Sequence, residues 1–350
     1  MLTTDAFTDR VFEATLGYFQ ILSIYLGLRL GLYEALGDEP LTADALAARA
    51  GIDARYAREW CEQQATIGIV DADVTRDRHV FRLRDDAAES LLDADSVSYL
   101  GATIRQLASL RALIDPVVEA YRTGAGLAAD AFGAESADGQ GGSNRPVYLT
   151  TLPTEWLPNI EPFHTKLSAG TTTVIDIGCG HGWSSIALAQ AYPDATVDGY
   201  DPDAYSLEQA RTHAVTYGVA DRVRFHTTDA AAIDQTADLA MAFECVHDMP
   251  DPVSVLGAAR RALTDDGAML VVDERTRDRF DGTPDARDAY YYGWSLFDCL
   301  PAGRAQTPSA ATGTVMRPDT LRGYAEAAGF SRFEVLPIEH DAFRLYLLRP

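Results

Sequence analysis

Lysine is almost missing from this sequence. Of 29 basic residues a single one, Lys166, is lysine; the rest are arginine, and 52 acidic residues leave a formal net charge of −23. Cysteine is scarce too. Cys61, Cys179, Cys245 and Cys299 lie far apart, with no Cys-x-x-Cys pair and no His–Cys cluster. That spacing indicates neither a disulfide framework nor a zinc site, and no metal is expected. No basic segment followed by a short apolar run and a cleavage site is found near the N-terminus. The longest uncharged apolar stretch there, residues 14–28, is shorter than the roughly 20 residues of a membrane span. A soluble, cytoplasmic protein with no membrane partner is the expectation.

What is present is organised around Val174-Ile175-Asp176-Ile177-Gly178-Cys179-Gly180-His181-Gly182. An apolar, β-branched run reads as a strand covered on both faces. The glycines allow a sharp turn and close approach of backbone to a ligand. A helix from Ser184 to Ala191 then aims free N–H groups at that ligand. A dinucleotide fingerprint requires Gly-x-Gly-x-x-Gly; here the third glycine comes one residue early, and Asp176 sits inside the strand. A tight turn without a ligand is the plain alternative, but three glycines in five residues weaken it, since each adds freedom to the unfolded chain.

From Thr173 onward strands alternate with helices. Residues 196–201 form the second strand and end on Asp201, 23 positions after Gly178. An acidic side chain there can accept both hydroxyls of a ribose. Residues 222–226 form the third strand, followed by Asp229 and Ala230, where a second carboxylate stands at a strand end. Either aspartate alone also suits a helix cap. Residues 238–244 and 267–274 are strands four and five, with a helix at 253–263 between them. Candidates for strands six and seven are 333–338 and 344–348, preceded by a helix at 318–328.

The first third reads differently. Residues 11–33 form a helix apolar on nearly every face, which must be buried, a subunit interface being one way. Thr42 and Gly51 bracket a short helix, and Asp53 caps another from Ala54 to Thr66. Short strands at 67–70 and 79–83 flank a charged turn, 71–78. Helix, helix and two-stranded wing make a winged helix-turn-helix. DNA is the obvious partner for that unit, but residues 1–90 hold 16 acidic and 9 basic residues, a net of −7. DNA affinity comes largely from neutralised phosphates, so the charge argues against a nucleic-acid partner and for a structural or dimerisation role. Residues 97–122 are helical. Residues 124–145, rich in Gly, Ala, Ser and Asp, read as a flexible linker or a mobile lid. Residues 148–167 read as a connecting helix. The expected boundaries are 1–95 for the winged-helix domain, 96–165 for a connector, and 166–350 for the cofactor domain.

The pattern Asp176-x-Gly178-x-Gly180-x-Gly182, with Asp201 and Asp229 at the next strand ends, resembles the class I S-adenosylmethionine-dependent methyltransferases. The likeness extends to a subgroup with an N-terminal winged helix, through Tyr121–Gly126, Val246-His247-Asp248 and the surroundings of Cys299. It implies an α/β fold with a seven-stranded Rossmann-like sheet whose last strand is antiparallel. It implies S-adenosyl-L-methionine as cofactor, a small-molecule substrate and a homodimer. The implied cofactor residues are Asp176, Gly178, Cys179, Gly180, Gly182, Asp201, Asp229, Ala230 and Glu244. His247 and Asp248 follow strand four, where the methyl group should emerge, and are the candidate base and its partner; a helix-start pair ahead of Pro250 and Pro252 is the plain reading. Residues 290–297, with four aromatics at 290, 291, 292 and 294 and a fifth at 297, face the substrate or form a buried helix. No Asn-Pro-Pro-Tyr-type sequence is present, which lowers methylation of nucleic-acid bases. Two other functions fit less well: a winged-helix regulator sensing a ligand in a methyltransferase-like domain, and a nicotinamide-dependent oxidoreductase.

The acidic excess, with arginine in place of lysine, resembles proteins of salt-loving archaea. Salt screens self-repulsion of a chain carrying −23. The melting temperature is therefore expected to rise steeply with KCl into the molar range, and full thermal stability in dilute buffer would refute the idea.

Overall fold

Thr42 starts the first of two short helices by accepting the Ala45 N–H at 3.2 Å. Asp53 starts the second by accepting from Arg55 and Tyr56. In this computed structural model, which describes residues 4–37, 39–75 and 78–350, they belong to a unit spanning Met1–Ser109, and Leu110–Pro350 forms the other. The first unit contains α1 (Thr4–Arg29), α2 (Leu32–Leu36), α3 (Ala43–Ala50), α4 (Ala54–Thr66), β1 (Val70–Val74), β2 (His79–Leu83), α5 (Asp85–Leu92) and α6 (Gly101–Ser109). β1 and β2 pair antiparallel to make the wing. The centre of the charged turn between them, residues 76–77, lies outside the described residues. The first wing strand begins at Val70, three residues later than the sequence suggests, because α4 runs to Thr66 and left-handed Gly68 then turns the chain.

The core of this unit gathers Tyr25, Leu28, Leu32, Tyr33, Leu36, Leu46, Trp60 and Phe81. Within it the Tyr33 hydroxyl donates to Gln64 Oε1 at 2.5 Å. Only the C-terminal end of α1 joins that core. Phe7, Val11, Phe12, Leu16, Tyr18 and Phe19 are 45–62 % exposed. The helix expected to be buried is therefore mostly uncovered within its own unit. It also ends earlier, at a left-handed Gly31 that separates it from α2. By length and composition its segment Ala6–Arg29 has the dimensions of a membrane span, longer than the uncharged run read from the sequence.

The second unit begins with α7 (Ile114–Thr123), α8 (Gly133–Thr151) and α9 (Phe163–Ala169). Then come β3 (Thr172–Ile177), α10 (Trp183–Ala191), β4 (Ala195–Tyr200), α11 (Ala204–Thr216), β5 (Val223–His226), β6 (Ala237–Phe243), α12 (Pro252–Ala262) and β7 (Leu263–Glu274). The chain closes with α13 (Ala286–Phe297), α14 (Cys299–Gly303), α15 (Pro318–Ala327), β8 (Arg332–Val335) and β9 (Phe343–Arg349). Seven strands form one sheet in the order β5-β4-β3-β6-β7-β9-β8. The first five are parallel, and β9 runs antiparallel to both β7 and β8. Each face carries its own apolar cluster. One centres on Trp156, Phe163, Ile186 and Leu207, the other on Leu256, Ala259, Leu321 and Phe330. Helices therefore cover both faces, and the strands read as unbroken apolar runs for that reason.

The largest departure from the sequence reading is α8. Residues 133–151, expected in large part as linker or lid, form a 19-residue helix despite four glycines and Pro146. Propensity alone disfavours it. Small residues instead let it approach α10: a Cβ at Gly141 would lie 2.4 Å from His181 Nδ1. Tertiary packing overrides the local preference.

Candidate functional site

The order of strands reverses between β3 and β6, and ligands of open α/β sheets bind outside the carboxyl ends of strands at such a point. Here a cleft of about 1100 Å³ opens there. Gly178, Cys179 and Gly180 line it from the loop after β3, Asp201 from the end of β4, and Asp229 and Ala230 from the turn after β5. Glu244 and Asp248 line it after β6. Asp176, Gly182 and His247 do not line it.

All three loop glycines have positive φ, from +48° to +79°, but they answer to different neighbours. A Cβ on Gly178 would lie 2.5 Å from Cys245 Cβ, and one on Gly182 would lie 2.7 Å from the Phe225 ring. Only at Gly180 is there open space. Gly180 thus leaves room beside it at the cleft, whereas the other two permit protein packing. The Gly180 N–H donates to Asp201 Oδ2 at 2.9 Å, and the Asp203 N–H donates to Asp201 Oδ1 at 2.9 Å. These bonds hold the carboxylate at the cleft wall. Asp229 caps the turn that follows it, accepting from the Ala231 N–H at 2.9 Å. It remains exposed beside the cleft.

Asp176 works behind the loop. Its Oδ2 accepts from the Ser184 and Ser185 hydroxyls at 2.6 Å each, which pins the start of α10 to the end of β3. Burial pushes its carboxyl up to about 6, and the two serine bonds only partly oppose that. An unfolded chain titrates the same group at roughly 4. The folded state therefore holds the proton more tightly, and stability falls as pH rises from about 4 to about 6 and the group ionises. The full effect, on the order of 3 kcal/mol, is present above about pH 6. Asp176→Asn is expected to be more stable than wild type at about pH 7.5, with the difference vanishing toward about pH 4. Chemical unfolding across that range checks this; a variant weaker at every pH would show that the serine bonds outweigh burial.

By sequence, His247 and Asp248 belong where the methyl group emerges. Asp248 reaches the cleft; His247 is only 1 % exposed. Its Nδ1 lies 3.0 and 3.1 Å from the two oxygens of Asp273 and 3.2 Å from Glu274 Oε2. Its Nε2 lies 3.5 Å from Asp248 Oδ1. Burial pulls the imidazole's pKa down, but Asp273, Glu274 and Asp248 override it and hold the ring protonated well above its ordinary range. The ring is thus buried among carboxylates, and of the pair only Asp248 lines the cleft.

Glu244 has what His247 lacks. It lines the cleft with a left-handed backbone, φ 51°, an unusual conformation for a residue with a side chain. Its N–H is tied to the Val272 carbonyl at 2.8 Å, and the Tyr148 hydroxyl donates to its Oε1 at 2.6 Å. Burial pushes its carboxyl up to about 7, against the lowering effects of the Tyr148 bond and the His247 charge. Strained, pKa-shifted groups in a cleft are candidates for function. Tyr148, with Gln140, Gly141 and Asn144 of α8, also lines the cleft. Sequence reasoning missed them because low helix propensity hid the helix; the run Tyr148–Trp156 was the one aromatic signal in that region. Of the aromatic run 290–297, which forms part of α13, Tyr291 is buried and Tyr290 and Tyr292 are exposed.

The sheet order, with helices on both faces, defines a Rossmann-like α/β fold of the methyltransferase type. Residues 168–311 match the model of a methyltransferase domain, and residues 19–92 match that of an Rv2258c-like winged HTH domain. The chain thus carries a methyltransferase domain together with an Rv2258c-like winged HTH domain.

The ubiquinone biosynthesis O-methyltransferase of Actinobacillus pleuropneumoniae is 35 % identical over 103 residues, 28 % of this chain and 43 % of that protein. The chain thus matches less than half the length of that relative. The N,N-dimethyltransferase OxyT of Streptomyces rimosus is 26 % identical over 280 residues, 75 % of this chain and 77 % of that protein. The human N-acetylserotonin methyltransferase, solved in complex with SAM, shares the fold with a TM-score of 0.73 at 15 % identity, over 100 % of this chain and 99 % of that one.

Proposed function

We propose that this protein transfers the methyl group of S-adenosylmethionine to a small molecule by in-line displacement. The observation that carries the reading is the Gly180 N–H joined to Asp201 at the wall of the cleft that Glu244 and Asp248 also line. Open space at Gly180 fits a ligand pressed against the loop. The donor supplies a sulfonium methyl carbon whose leaving group departs neutral. The chain's own task is then largely positioning. Asp201 accepts from the ribose hydroxyls, Asp229 and Ala230 meet the adenine, and Cys179 and Gly180 border the donor through their backbone. Asp176 and Gly182 support the loop from behind. His247, held by Asp273, positions Asp248 and Glu244 electrostatically and does not touch the substrate.

Calorimetric titration of wild type with S-adenosylmethionine in molar KCl tests the cofactor, and methyl release with candidate acceptors tests turnover. Micromolar binding is expected; no binding by well-folded protein would remove the reading. Relatives carry names of both O- and N-methylating enzymes, so likeness does not select the acceptor atom.

We assign α1 a second copy of this chain as its partner. Its uncovered row of Phe7, Val11, Phe12, Leu16 and Phe19 is the kind of contiguous apolar surface that marks an interface. Sedimentation is expected to show a dimer for wild type and a folded monomer for Phe12→Asp with Leu16→Asp. A wild-type monomer would refute it.

A further inference from the structure

We infer that the methyl acceptor is an amine, held as its ammonium ion by Glu244 and Asp248. This rests on the methyl-transfer reading and names the substrate class of the same site. Among the described residues lining the cleft, Asp201, Asp229, Glu244, Asp248 and Asp251 are acidic and none is lysine or arginine. Behind Glu244 and Asp248 stand Asp273 and Glu274, both buried. Four carboxylates thus surround the single imidazole of His247, which can balance one of them.

Two carboxylate oxygens in this group, Asp248 Oδ1 and Glu274 Oε2, are buried and make no hydrogen bond. Glu274 is 7 % exposed, and its free oxygen points at the cluster, 3.2 Å from a ring nitrogen whose N–H is directed at Asp273. A buried acceptor without a donor is costly. An excess of buried negative charge is relieved by proton uptake or by a cation. The cleft can admit the cation. Its walls add Tyr148 and Phe243, ring centroids 5.6 Å apart, whose faces attract positive charge. A phenol or alcohol would have to become an oxyanion beside these same carboxylates, which repel it.

The step balances without another reagent. Glu244 Oε1 is occupied by the Tyr148 hydroxyl, and Oε2 takes one proton from the ammonium. The freed nitrogen lone pair forms the N–C bond while the C–S bond breaks, its electrons staying on sulfur. The positive charge passes from sulfonium to the methylated ammonium. The acceptor nitrogen thus carries one positive charge beside Glu244 and Asp248 both before and after the reaction.

The test uses the whole protein in molar KCl, first titrated with S-adenosylhomocysteine. Failure of that titration counts against the methyl-transfer reading and is distinct from any failure of the acceptor titrations. The saturated protein is then titrated with benzylamine and with its neutral counterpart benzyl alcohol. Benzylamine is expected to bind at least tenfold more tightly, and Glu244→Gln and Asp248→Asn each to reduce that ratio to about threefold or less. Circular dichroism confirms that the variants are folded. Turnover is expected to yield N-methylbenzylamine and no methyl ether. Equal affinity for the pair, no binding of benzylamine, or a preference that survives both variants would overturn the proposal. So would Mg²⁺ or Zn²⁺ binding that excludes benzylamine and is lost in Glu274→Gln, because the cluster would then be a metal site.

Discussion

Asp201→Ala is expected to weaken S-adenosylmethionine binding by about a hundredfold or more while leaving the fold intact. The carboxylate accepts the Gly180 and Asp203 N–H groups, so its loss releases the loop glycine that has open space beside it. It also removes two charged acceptors for ribose hydroxyls. Hydrogen bonds to a charged partner contribute about 1.5–3 kcal/mol each, and about 2.7 kcal/mol is a hundredfold in affinity. Stability should change little. Burial raises the pKa of Asp201, opposed by those backbone bonds, so the ionised group is not a net anchor of the fold. Calorimetry on wild type, Asp201→Ala and Asp201→Asn checks this, with Asn intermediate because it keeps one acceptor oxygen. A loss under about fivefold for Ala would place the ribose elsewhere.

Gly182→Ala is expected to destabilise the methyltransferase unit by about 2–5 kcal/mol, while Gly180→Ala costs only about 1 kcal/mol but impairs cofactor binding. At Gly182 an added Cβ would stand 2.7 Å from Phe225 Cζ and 3.0 Å from Ala210 Cβ, at φ +79°. Left-handed strain adds about 1–2 kcal/mol, and overpacking typically about 1–3 kcal/mol. Phe225 belongs to β5 and Ala210 to α11, so neither can retreat without moving an element. At Gly180 the strain remains, with φ +48°, but no atom lies within 4 Å. The new methyl therefore meets only the ligand. Thermal unfolding and cofactor titration on both variants separate the two roles. Comparable stability losses would show that the loop yields as a whole.

Asp201 and Asp229 are legible in the sequence because strand ends follow from apolar runs and turn residues, and an acidic residue just past such an end is a local pattern. The caps at Thr42 and Asp53 are legible for the same reason. Which glycine has open space beside it is not legible, since Cys245 and Phe225 lie 67 and 43 residues from Gly178 and Gly182. His247 is legible in position but not in surroundings. Its placement after β6 follows from local pattern, but its enclosure depends on Asp273 and Glu274 of β7. Helix α8 is hidden because glycine-rich composition predicts disorder wherever packing is left out.

By itself the sequence determined the alternation of strands and helices, the acidic–glycine loop, the winged-helix unit and the charge excess. Each rests on periodicity, capping or composition, which act over a few residues or over the whole count. The tertiary structure alone decided the order of the strands, the helical state of residues 133–151 and the exposure of α1. It also decided that Glu244 meets the cleft and Tyr148 while His247 is walled in by carboxylates. Those outcomes depend on burial and on contacts between distant segments, and these exist only once the chain has packed.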